Sequence, residues 1–110
     1  MRRAHQFNIE QLRKDVVAGV RPLRVTSHAQ TEAFKDGLTL VDLRYVFNVG
    51  EVIELYPDEN RGLLYAKVDD IEMPVHIVIE DTSTEGIIIT AYIPDRRLWI
   101  SNRIRRSRRP

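Results

Sequence analysis

Cysteine is missing altogether, and aromatic residues are scarce: one tryptophan, four tyrosines and three phenylalanines in 110 residues. Without thiols there is no disulfide framework and no thiolate metal site, and a reducing cytoplasm is the expected setting. Long apolar runs are missing too. The stretch around "GIII" (86–89) is far too short to span a bilayer, so no membrane partner is expected. The N-terminal "MRRAHQFNIEQ" has charge but no apolar h-region, which argues against a secretory signal. Neither GxxxxGK[ST] nor GxGxxG occurs, so a nucleotide cofactor is not expected. The histidines His5, His28 and His76 lack the close spacing of zinc ligands, and no metal is expected either.

What is present is a globular composition, 43% hydrophobic and 30% charged, enough for one domain with an adequate core. The net charge of +1 hides an asymmetry. Residues 1–100 hold all 16 acids against 12 bases, a net −4, and the last ten residues, "SNRIRRSRRP", hold five arginines and no acid. The expectation is one domain over 1–100 and a flexible arginine-rich tail over 101–110. Arg103, Arg105 and Arg106 are candidate phosphate contacts in it, since such a tail is drawn to nucleic acid without reading sequence. Its other reading is a solubilising tail, or one that folds back on the acidic body.

Helical signals fill the first half. Asn8 with Gln11 fits a capping box, and Ile9, Leu12, Val16 and Val20 share a stripe that Gly19 and Pro22 end. "VRPLRV" (20–25) reads as an extended connector. Ser27 with Gln30 fits a second capping box, opening a helix that Gly37 closes. Thr39 with Asp42 opens a third, with Leu40, Leu43, Val46 and Phe47 inward and Gly50 at its end. From Glu51 the period changes to two. "EVIELYP", "LLYAKVDD", "PVHIVIED" and "GIIITAYIP" read as four strands joined by short turns, hence an antiparallel meander. The fold class is α+β, with N-terminal helices packed on a four-stranded, mostly antiparallel sheet.

Alternation assigns the faces. Val75, Ile77 and Ile79 share one side of the third strand, and His76, Val78 and Glu80 the other. On the fourth strand Ile87, Ile89, Ala91 and Ile93 form the more apolar face. Ile88, Thr90 and Tyr92 form the mixed one. Matching apolar to apolar puts His76 beside Thr90 and Tyr92.

"SHA" at a helix start, "GLTLVDLRYVFNVGEVIELYPD", "RGLLY", "PVHIVIED" and "IIITAYIPD" together resemble a widespread family of small prokaryotic proteins carrying a domain of unknown function. Its members are often encoded beside zinc-finger or helix-turn-helix antitoxins. The family is grouped with the barnase–EndoU–colicin–RelE ribonucleases and toxins. The resemblance covers roughly Ser27 to Trp99. It implies a metal-independent ribonuclease toxin with RNA and such an antitoxin as partners, and a homodimer stays open. Relatives carry arginines in a pattern like HAxxRMxxR where this chain has Glu32 and Asp36, so two phosphate-gripping groups are replaced by acids. The alternative is a non-catalytic RNA-binding or partner-binding module on the same fold.

Metal-free RNA cleavage needs a base for the 2′-hydroxyl, an acid for the leaving 5′-oxygen and a cation for the phosphorane. His28 at a helix N-terminus, where the dipole disfavours imidazolium, suits the base. His76, with Tyr92 and Thr90 beside it, suits the acid, and Arg61 or Lys67 can hold phosphate. The expectation is that His28 and His76 face one shared cleft. Each also has an ordinary reading: His28 bonds nearby backbone, and His76 is satisfied within the sheet by Thr90 or Tyr92.

Overall fold

In the computed structural model, residues 5–69 and 73–94 are described, together with the backbone of 99–100 and 104–105. Helix α1 (Ile9–Ala18) starts where the Asn8 side chain accepts from Gln11 N at 3.1 Å. The box is half built. Gln11 turns its amide to Asp15 at 2.8 Å, and the Asn8 N–H is taken by Asp81 Oδ2 at 2.8 Å. Gly19, at φ +75°, supplies the left-handed close. Val20 follows it and is exposed, so it leaves the expected stripe.

The connector contains a strand. Leu23–Val25 forms β1 and pairs in parallel with the last strand of the sheet, from Leu23 opposite Gly86 to Val25 opposite Ile88. Three residues are too few to show a period-two pattern, which is why only the connector was legible. The pairing runs on into Thr26, whose N–H reaches Ile88 O at 3.1 Å. Thr26 is therefore held extended (φ −68°, ψ 158°) and becomes the cap of α2 (Ser27–Lys35), its hydroxyl accepting from Ala29 N. The expected Ser27 cap is corrected to Thr26: the sheet fixes the last extended residue, and Ser27 is already helical. In α3 (Leu40–Val49) the Thr39–Asp42 box is complete in both directions. Leu43, Val46 and Phe47 are buried, but Leu40 is partly exposed in the first turn.

Strand β2 (Glu51–Tyr56), a single 3₁₀ turn (Pro57–Glu59), β3 (Arg61–Ala66), β4 (Val75–Asp81) and β5 (Gly86–Tyr92) make the antiparallel meander. The five-stranded sheet runs β1-β5-β4-β3-β2, so it is mixed rather than four-stranded, the parallel pair lying at one edge. Trp99–Ile100 (β6) pairs with Ile104–Arg105 (β7) in a separate two-stranded ladder.

One sheet face carries the core. Leu12, Ala33 and Phe47 from the helices cluster there with Leu64, Ile77 and Ala91 from the strands. The β4 alternation is as read, but β5 is not uniform. Val78 pairs with Thr90 and Ile79 with Ile88, leaving Ile89 as an extra residue in a bulge. The bulge reverses the faces before it, so Ile88 joins the core in place of Ile87. No helix among the described residues is long and apolar enough to cross a membrane.

Candidate functional site

His76 is fully buried on the face turned away from the helical core. Tyr92 and Tyr65 stand opposite it on the two neighbouring strands. The Tyr92 ring centroid lies 5.5 Å from the imidazole and that of Tyr65 6.1 Å, the latter edge-on. Thr90 is opposite Val78, on the same side. The structure thus brings His76, Tyr92 and Thr90 together as the alternation implied, and adds Tyr65. Arg61 lies along the same face, opposite Glu80, which accepts from Arg61 Nε at 3.0 Å. Lys67 is exposed just beyond the end of β3.

His28 is not among them. It occupies the exposed first turn of α2, and that helix buries Ala29 and Ala33 into the core on the opposite side of the sheet. The shared cleft expected for His28 and His76 does not form, because α2 packs on the Ile77 face and β4 alternation turns His76 the other way. The two acids of α2 have structural partners. Glu32 meets Lys35 at 3.1 Å, and Asp36 Oδ2 accepts from Ile93 N at 2.9 Å as the chain leaves β5. Arg103 and Arg106 lie outside the described residues, and Arg105 is placed by its backbone in β7.

The open chemistry lies elsewhere, where the N-terminal segment crosses the β2–β3 turn. A cleft of about 350 Å³ is lined there by His5, Phe7, Leu55, Pro57, Asn60 and Arg61. Phe7 lies against the backbone of Gly62; a Cβ there would come within 2.5 Å of the ring. Asn60 tolerates the left-handed conformation (φ +54°) that closes the turn, and its carbonyl accepts from Asp81 N at 2.9 Å.

Behind the cleft, Asp81 is completely buried and fully engaged. Its Oδ1 accepts from His5 Nε2 at 2.6 Å and from Arg21 Nη1 at 2.7 Å, and Oδ2 from Asn8 N. Arg21, itself almost fully buried, also donates to Asp15 at 2.8 Å and to Thr82 O. Burial alone would lower the Arg21 pKa, but the hydrogen bonds to Asp81 and Asp15 outweigh it and hold the group charged. The Asp15 carboxyl is held below its ordinary range, first by the Gln11 amide and then, against some burial, by Arg21.

Sequence reading passed over His5 and Asp81, weighing His5 only as a metal ligand. Seventy-six positions separate the two residues, and no local spacing marks such a pair. Among the described residues no group of three or more histidines and carboxylates is placed to hold a metal.

The family model for a domain of unknown function, DUF4258, matches residues 25–93, more than half of the chain. The chain belongs to the DUF4258 family. No curated protein and no solved structure matches it. The DUF4258 region contains Asn60, Arg61 and Asp81, whereas His5, Asp15 and Arg21 precede it. The cleft is therefore built jointly by the family domain and the segment before it.

Proposed function

We propose that this DUF4258 protein acts on RNA, as a metal-independent ribonuclease of a toxin–antitoxin pair, at the cleft beside Arg61. The observation that carries the reading is the mixed lining of that cleft. Apolar Phe7, Leu55 and Pro57 line it together with polar His5, Gln6, Asn60 and Arg61. Such a mixture suits a nucleotide, its base against the apolar side chains and its phosphate toward the guanidinium. The arginine-rich C-terminus adds attraction for the phosphate backbone. A zinc-finger or helix-turn-helix antitoxin is the partner this reading implies.

A second reading, a non-catalytic RNA-binding or partner-binding module, is favoured by the acids at 32 and 36 and by the burial of His76 away from solvent. One assay separates them. The full chain, purified away from any antitoxin, is incubated with ribosomal, transfer and messenger RNA in EDTA. The ribonuclease reading expects cleavage that EDTA does not abolish and that spares a 2′-deoxy substrate. Binding without cleavage would assign the protein to the second reading.

A further inference from the structure

We infer that His5 is the general base of the cleft, with Asp81 and Arg21 as its positioning residues, an assignment that rests on the ribonuclease reading above. Three observations converge on it. His5 Nε2 is tied to Asp81 at 2.6 Å, which fixes the ring and leaves Nδ1 as the nitrogen that can meet a ligand. The ring remains about one-third exposed on the cleft, whereas Asp81 behind it has no exposure. Arg21 and the Asn8 N–H take the remaining bonds of the carboxylate, so Asp81 is held from three directions and cannot swing away from the histidine.

This is the base-and-orienter half of a catalytic triad without its nucleophile. None of the described residues lining the cleft carries a hydroxyl or a thiol. A site of that kind suits a substrate that brings its own nucleophile, and RNA does so in its 2′-hydroxyl. His5 Nδ1 takes the 2′-hydroxyl proton as the O2′–P bond forms and the P–O5′ bond breaks. The imidazolium then passes that proton, directly or through water, to the departing 5′-oxygen. The products are a 2′,3′-cyclic phosphate end and a 5′-hydroxyl end, with no net proton change. Arg61 faces the phosphate, although its Nε is shared with Glu80 and Glu59 lies 3.6 Å from Nη1. Among the described residues, the charged groups on this side of His5 are Asp81 from β4, Arg21 from beyond α1, and Arg61 with Glu59 and Glu80 at the hairpin.

The test uses the full chain, a single-stranded mixed-sequence RNA oligonucleotide and EDTA throughout. His5→Gln keeps an amide N–H for Asp81 but cannot take a proton. It should lose about 100-fold or more in kcat with KM nearly unchanged. His5→Ala should lose as much, and added imidazole should restore part of the rate, which a merely structural role would not allow. Circular dichroism confirms that both variants are folded. Cleavage by His5→Gln at the wild-type rate, or cleavage lost in His28→Ala instead, overturns the assignment and leaves the ribonuclease reading standing. A wild-type chain that cleaves no RNA overturns both.

Discussion

Arg21 and Asp81 form a buried ion pair, Arg21 nearly and Asp81 fully buried, joined at 2.7 Å. Removing one member leaves the other charge without its main partner inside the protein, which costs far more than the pair itself contributes. Arg21→Met should therefore destabilise by about 3–5 kcal/mol in urea unfolding. A loss below about 1 kcal/mol, the value of a surface ion pair, would show that water reaches the site. Asp15 offers a pH-dependent companion. Its folded pKa lies below the ordinary value, so its ionised form stabilises the fold above the unfolded pKa, and that contribution is lost as pH falls through the lowered folded value. Asp15→Asn should therefore melt below the wild type near neutrality, with the gap narrowing in acid. A gap that is the same at both pH values would mean that Asp15 acts through its shape and not its charge.

At the level of elements, two junctions govern how helices hand over to strands. Thr26 continues the β1 pairing by one hydrogen bond and caps α2 at once, so Thr26→Ala should cost about 1 kcal/mol, whereas Ser27→Ala, exposed in the first turn, should cost only a few tenths. Denaturant midpoints of the two variants decide it, and equal losses would return the cap to Ser27. Gly50 joins α3 to β2 under crowding: a Cβ there would lie 2.5 Å from Val46 O and 3.2 Å from Tyr65 O. Backbone atoms give way poorly, so Gly50→Ala should cost about 1–3 kcal/mol. A thermal melt unchanged by this substitution would contradict the close packing. The junctions also mark what the sequence could say. Long periodic segments and the Thr39–Asp42 box were readable because each signal is local. Strand β1 was not, because three residues carry no period, and the β5 bulge was not, because Ile87, Ile88 and Ile89 look alike until the register with β4 chooses among them.

For the whole molecule, the site was legible only in part. Alternation placed His76 with Tyr92 and Thr90, but nothing in the chain order says that α2 covers the other side of the sheet, or that His5 folds back onto Asp81. The charge asymmetry was visible from the outset and carries its own test. Removing residues 101–110 takes away five arginines. The slope of log affinity for single-stranded RNA against log salt should flatten by up to about 3.5. An unaltered slope would place the RNA contacts wholly on the acidic body. The proposed activity requires RNA to enter the cleft at His5 and not the surface at His28. The most direct measurement follows the ring ¹H–¹⁵N signals of His5, His28 and His76 during titration of the full chain with a 2′-O-methyl oligonucleotide, which binds but offers no 2′-hydroxyl to react. The His5 signals should move and saturate while those of His28 and His76 stay in place; movement of His28 with His5 unaffected would rule out the cleft as the RNA site.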